Sequence, residues 1–263
     1  MALNYAEKLK AENVEVFKSL NQKLKLEKDL QKWKEFQEKM YLPVPNEDGI
    51  IPQDDSFLSK PCLENIEKYK ESQIKQSVLL DYSREEVVNM QVLKQADVVM
   101  LLNLFPKLFD EETVRKNVLF YENRTIHDSS LSYCAHAQAC AAIGAMDLAW
   151  EFFRKCLVVD INENPHDSTD GVHSASLGGI WNCLIFGFAG VHYEKGVLYL
   201  TPNLPKQWKT MDFNMYIEGV KVHFTVGRDN ITLNCEKKEG RKIRVKAENK
   251  EYVLEDSLDI ALT

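Results

Sequence analysis

GVLYLTPNLPKQWKTMDFNMYIEGVKVHFTVG, residues 196–227, alternates apolar and polar side chains with a period of two, whereas the chain upstream repeats at helical spacing. The change falls near residue 194. GVLYLTP, FNMYIEG, VKVHFTVG, NITLNC, KIRVKA and EYVLE are six short alternating runs, broken at Gly219, at Gly227 with Asp229 and Asn230, at Gly240 and at Asn249. Six strands with hairpin turns predict a small antiparallel β-sandwich over 194–263, with Val220, Val222, Phe224 and Val226 on its buried face.

Upstream, residues 1–193 read as helical. The first forty are charged, with Leu9, Val16, Leu20, Leu24, Leu30 and Trp33 at loose helical spacing, which predicts one or two surface helices. YLPVPNEDGIIPQDDSFLSKP, at 41–61, holds four prolines and cannot continue a helix. Its Ile50, Ile51, Phe57 and Leu58 favour a long loop that packs down. Ser83 with Glu86 forms a capping pattern ahead of VVNMQVLKQADVVMLLNLF, predicting one buried helix over 83–104. Further helices are expected at 110–121, 131–143, 146–158 and 173–189, with Gly144 as a stop, giving a stack of helical hairpins.

Composition narrows the function. The chain of 263 residues is 44% hydrophobic with a net charge of −7, enough for a real core and wrong in sign for a general nucleic-acid binder. No apolar run approaches the ~18 residues of a membrane span, and the N-terminus is polar, so no membrane role and a cytoplasmic address are expected. Cys62, Cys134, Cys140, Cys156, Cys183 and Cys235 are scattered without a CxxC pair, which predicts mostly buried free thiols. No carboxylate or histidine cluster has metal-ligand spacing, so no metal is expected.

Three stretches could carry chemistry. In ENRTIHDSSLSYCAHA, 122–137, the group Thr125, His127, Asp128, Ser129 and Ser130 precedes a helix of small residues, where amides and hydroxyls could hold an anion; alternatively Ser129 or Ser130 only caps the helix. In STDGVHSASLGGIW, 168–181, Asp170 and Gly171 precede His173, and Ser174, Ser176, Gly178 and Gly179 either admit a ligand or permit tight helix packing. Lys94 and Gln95 interrupt the apolar VLKQADVVMLL, and a lysine in a buried helix needs a partner such as Asp97 or Asp128, or a polar cavity.

LKQADVVMLL, RTIHDSSLSYCAHA and STDGVHSASLGGIW, followed by PNLPKQW at 202–208, resemble in this order four consecutive motifs of the glycoside hydrolase family 65 phosphorylases, which act on maltose, trehalose, kojibiose, nigerose and related α-glucosides. The match is good over about 80–263 and loose before that. It implies the later helices of an (α/α)6 barrel followed by the family's C-terminal β-domain. It also implies an inverting reaction in which phosphate attacks and β-glucose 1-phosphate leaves, with inorganic phosphate as co-substrate and no cofactor. On this resemblance Ser129, Ser130, His173, Gly178 and Gly179 hold phosphate, while Lys94, Gln95, His127 and Asp128 bind the sugar.

The family's catalytic glutamate sits in a Pro-Asp-Glu-Tyr-His-like motif that does not occur here. The resemblance therefore implies a chain that begins after the general acid and is inactive alone: a truncated frame, an excised fragment or half of a split enzyme. Glu47, Asp54, Asp55, Asp128 and Asp170 are the carboxylates that could replace the acid, and none is expected to. Two other readings stay open, an acid-trehalase-like hydrolase and a non-catalytic carbohydrate-binding scaffold. A partial barrel would leave apolar helix faces uncovered, so a homo-oligomer or a complementing N-terminal chain is expected.

Overall fold

The computed structural model of the chain describes residues 2–72, 74–161, 171–236 and 242–262. The chain divides into two compact units, Met1–Val44 and Pro45–Thr263.

The first unit holds three helices, one more than the apolar spacing predicts: α1 (Ala2–Glu12), α2 (Val14–Leu24) and α3 (Leu26–Lys39). The extra breaks are local. The Asn13 side chain accepts the Val16 amide and caps α2, and Lys25 takes a left-handed conformation (φ 55°) between α2 and α3. Among the described residues of this unit only Phe17 and Leu30 are buried, and exposed pairs such as Lys34–Glu7 (2.8 Å) contribute little.

In the second unit the proline-rich segment packs down as its apolar residues suggest. Ile51 and Phe57 are fully buried. Asn117 accepts the Ile51 amide (2.8 Å) and donates to the Gly49 carbonyl (2.7 Å), and the Tyr121 hydroxyl donates to the Ile51 carbonyl. The helices of this unit are α4 (Ile66–Lys70), α5 (Arg84–Val88), α6 (Val98–Leu104), α7 (Glu111–Glu122), α8 (Ser132–Ala142), α9 (Met146–Leu157) and α10 (Ser174–Asn182), the last extended by a π-helical turn at Cys183–Phe188.

The single helix expected over 83–104 is not formed. Its capping box is there, with Ser83 and Glu86 bonded reciprocally, but α5 stops at Val88, and residues 89–97 pass through a turn and bends, with single β-bridges at Gln91 and Leu93, before α6. The segment is captured by a neighbouring backbone: the Leu93 amide donates to the Arg124 carbonyl (2.7 Å) and the Ile126 amide to the Leu93 carbonyl (2.9 Å). Tertiary pairing of this kind outweighs helix propensity over a few residues.

α8 and α9 form a hairpin around Gly144, which is left-handed (φ 73°). α8 is buried on nearly every side because its residues are small; α9 buries one face through Phe152, Phe153 and Cys156. α10 lies close against α8: a Cβ on Gly179 would fall 2.3 Å from the Cys134 sulfur. All six cysteines are free thiols, and burial pushes those of Cys140 and Cys156 up to about 12.

Among the described residues eight strands follow rather than six: β1 (Val191–Glu194), β2 (Val197–Leu200), β3 (Thr210–Ile217), β4 (Val220–Gly227), β5 (Asn230–Cys235), β6 (Ile243–Ala247), β7 (Lys250–Leu254) and β8 (Ser257–Ala261). They form two four-stranded sheets, ordered β1-β2-β6-β7 and β3-β4-β5-β8, and β2 pairs with β6 in parallel where the sequence suggested antiparallel strands throughout. Three hairpins turn on two residues each with positive φ, Lys195-Gly196, Glu218-Gly219 and Glu248-Asn249, the backbone that matches the twist of paired strands. Val220, Val222, Phe224 and Val226 are buried as expected. The expected break at Gly240 lies outside the described residues.

PNLPKQW seats the sandwich on the helices. Trp208 meets Trp150, Phe153 and Phe188 edge-on at 5.3–5.7 Å, and Asn203 donates to the Ala141 carbonyl (3.0 Å).

Candidate functional site

Two of the three chemistry-bearing stretches meet through their backbones. Pairing of Leu93 with residues 124–126 continues one step further, where the Asp128 amide donates to the Lys94 carbonyl (3.0 Å). The start of the third stretch joins them, since the Ser176 hydroxyl in the first turn of α10 donates to the Ser130 carbonyl (3.1 Å). Lys94-Gln95, the 127–130 turn and the N-terminus of α10 thus belong to one neighbourhood. The N-terminus of α8 lies there too, so two helices direct their partially positive ends at it.

Lys94 and Gln95 are exposed, which corrects the buried-lysine reading: outside a helix, Lys94 needs no buried carboxylate. Neither side chain makes a hydrogen bond or ion pair among the described residues, so both are available to a ligand. Ser129 and Ser130 are half-buried. The capping alternative does not hold for them, because α8 begins at Ser132 without a side-chain cap, and Ser129 reaches only the Leu131 amide at 3.4 Å.

His127 and Asp128, expected on the sugar, are both buried, and His127 lines the cleft described below. Asp128 is buried and its carboxylate takes the Gln76 amide on both oxygens (3.0 and 2.9 Å). His127, left-handed at φ 53°, is 3% exposed and stacks on Tyr133. Its Nδ1 lies 2.9 Å from the Ser132 hydroxyl and its Nε2 3.2 Å from Glu122 Oε2. Burial pushes the imidazole down to about 4 against the opposing pull of Glu122, so the ring is neutral at pH 7. A neutral ring facing a carboxylate carries its proton on Nε2, leaving Nδ1 to accept from Ser132.

His173 stands at the N-terminus of α10, its amide 3.0 Å from Asp160 Oδ2 and its Nδ1 2.6 Å from Asp160 Oδ1, contacts that hold the Asp160 carboxyl below its usual range. The two glycines divide: Gly179 serves close helix packing, whereas a Cβ on exposed Gly178 would meet nothing within 4 Å. Asp170 lies outside the described residues.

One cluster within the 122–137 stretch was not read as such from the sequence, because its members sit on α7, the turn and α8 and meet only in the fold. Glu122, His127 and His136 bring ligand-type atoms within 4.8 Å of one another, all buried. Burial would raise the Glu122 carboxyl, but His127 and His136 together hold it far below the carboxylate range. Lys70 adds its ammonium to Glu122 Oε1 at 3.1 Å and to the Glu122 carbonyl at 2.8 Å. His136 Nδ1 lies 2.7 Å from Glu122 Oε2, off the donor direction, and neither ring nitrogen of His136 makes a hydrogen bond. Two atoms ligating one zinc ion would stand roughly 3.3 Å apart, and Lys70 already supplies cationic charge, so the set fits an ion-paired network better than a metal centre. A cleft of about 670 Å³ opens beside it, and its lysines Lys70 and Lys155 are paired with Glu122 and Glu151.

Exposed apolar side chains border the site. On α10 and the turn after it Leu177 (50% exposed), Trp181 (47%) and Phe186 (38%) lie open, and α6 and its exit leave Leu104 and Phe105 uncovered. No helix among the described residues is long and apolar enough to cross a membrane.

The chain is thus a set of helices seated on a β-sandwich, with backbone amides, hydroxyls and a lysine at one edge. Residues 1–182 match the glycosyl hydrolase family 65 central catalytic domain and 192–254 the family's C-terminal domain, so the chain belongs to glycosyl hydrolase family 65. It is 43% identical over 198 residues to a kojibiose phosphorylase of Escherichia coli K12, covering 75% of this chain and 26% of that protein. It is 32% identical over 255 residues to an α,α-trehalose phosphorylase of Thermoanaerobacter brockii, covering 97% and 32%. A solved structure, described as a putative kojibiose phosphorylase from human microbiome, superposes with a TM-score of 0.82 at 26% identity, over 99% of this chain and 36% of that one. The chain spans between a quarter and a third of the length of these curated relatives.

Proposed function

We propose that the chain carries the phosphate-holding part of an inverting disaccharide phosphorylase, converting an α-linked glucose disaccharide and phosphate to β-glucose 1-phosphate and a free sugar. The observation that carries this reading is the backbone bond between Asp128 and Lys94, which joins the Lys94-Gln95 segment to the turn that holds Ser129 and Ser130. A phosphate dianion there would take the hydroxyls of Ser129 and Ser130, His173 and the backbone at Gly178-Gly179, while Lys94 and Gln95 face the glucose. In the reaction a phosphate oxygen forms a bond to the anomeric carbon as the glycosidic bond breaks on the opposite face, and a general acid gives its proton to the departing oxygen.

This reading assigns no general acid to the 263 residues, so turnover would need one from a complementing chain or from further sequence. The barrel architecture, the cytoplasmic address and the lack of any cofactor besides phosphate belong to the same proposal. A hydrolase would need a carboxylate to activate water; at this turn Asp128 is engaged with Gln76, which disfavours it. A sugar-binding scaffold would bind glucose without phosphate.

The test is calorimetric titration of the whole chain with inorganic phosphate, β-glucose 1-phosphate and glucose. Saturable phosphate binding, weakened in Ser130→Ala and His173→Ala, is expected. Binding of glucose without any binding of phosphate would favour the scaffold, and no binding of any of the three would end the proposal.

A further inference from the structure

The 127–130 turn is held in a conformation that its residues do not favour. His127 is left-handed, a region disfavoured for side chains with a Cβ, and persists only where the surroundings over-determine it. The restraints on its ring run through both nitrogens: Ser132, the first residue of α8, on Nδ1, and Glu122, the last residue of α7, on Nε2. Stacking on Tyr133 fixes the ring plane. The next residue, Asp128, is held by Gln76 and Lys94, so the restraints on His127 and on Asp128 together set the turn that leads into Ser129 and Ser130.

We infer that Glu122 is a positioning residue for the anion site: its buried carboxylate, fixed by Lys70, orients His127, and His127 sets the turn that aims Ser129 and Ser130. In this role Glu122 acts through His127. The inference rests on the phosphate reading above and names what holds that site in shape. Glu122 opens the 122–137 stretch, but its tie to His127 depends on the turn between α7 and α8 and not on spacing.

The conservative variant Glu122→Gln keeps the volume and removes the charge. Its amide can accept from His127 only by turning its NH2 group toward the Lys70 ammonium, so the Nε2–H form of His127 loses its anchor. Histidine 15N NMR reads the tautomer directly, and calorimetry reads phosphate affinity. The wild type is expected to show the Nε2–H tautomer at pH 7. Glu122→Gln is expected to shift that signal and to bind phosphate about tenfold or more weakly, the scale of a misplaced contact.

If Glu122→Gln does not fold, Ser132→Ala, which deletes one hydroxyl from the same relay, should give the same two changes in smaller measure. Wild-type phosphate binding that is unchanged in a folded variant with an altered His127 signal would overturn the inference and leave the phosphate reading standing. Absence of phosphate binding by the wild type would overturn both.

Discussion

The Asp128 amide donates to the Lys94 carbonyl at 3.0 Å, joining two segments 34 residues apart in the chain (128 − 94) into one short ladder. This bond separates what Lys94 does for a ligand from what it does for the fold, because the contact with the turn uses its backbone alone. Lys94→Met should therefore change the free energy of unfolding by no more than about 0.5 kcal/mol in urea denaturation, the usual range for an exposed side chain without partners. Titration with β-glucose 1-phosphate should weaken in the same variant. A large loss of stability would mean that the side chain has a structural partner.

Stability should fall on acidification through two groups that act in the same direction. The folded His127 is pushed down to about 4, below the ~6.5 of a free imidazole, so the unfolded chain binds more protons between those values. Its contribution is fully present above pH 6.5 and is lost as pH falls toward 4. Glu122, held below its ordinary 4.5, adds a second loss as pH drops through that value. Urea denaturation at pH 7 and pH 4.5 should differ by on the order of 2–3 kcal/mol more than in His127→Gln. An equal pH dependence in the variant would move the effect elsewhere.

Gly179→Ala tests the packing role assigned to that glycine. The new methyl would sit 2.3 Å from the Cys134 sulfur, and an overpacked helix contact costs about 1–3 kcal/mol. Thermal melts of Gly179→Ala, Cys134→Ala and the double variant form a cycle, and the second substitution should recover most of the loss by making room. Gly178→Ala, with open space around it, should be close to neutral.

The bare apolar side chains on α10 should drive association. Sedimentation velocity at increasing concentration is expected to show oligomers, and Leu177→Glu with Trp181→Glu should shift them toward monomer without lowering the melting temperature, since both side chains are about half exposed. A wild-type monomer at all concentrations would count against an uncovered helix face.

What the sequence made legible follows from how local each signal is. The Ser83 capping box, the Gly144 stop and the alternation in VKVHFTVG are decided within a few residues, and each is found in place. The helix predicted through Asn89–Asp97 failed because its competitor, the 124–126 backbone, lies about thirty residues away. β1 and β8 are short, and their pairing with β2 and β5 supplies what their composition does not announce. At the site, Lys94, Ser129 and Ser130 were legible as residue types, but the inward turn of His127 and Asp128 was not. Which way a polar side chain points depends on partners such as Glu122 and Gln76 that no spacing rule connects to it.

The parallel register that sets Val197 against Arg244 has a consequence in time. The β1–β2 hairpin can form as soon as it leaves the ribosome, but its other neighbour is made about 47 residues later, and such distant pairings are slow to close. Until β6 arrives, β2 keeps an open edge while the helices that carry the candidate site are already complete. A nascent chain stalled between the two strands would carry finished helices beside an unsealed sheet edge, the kind of edge that invites pairing with another chain.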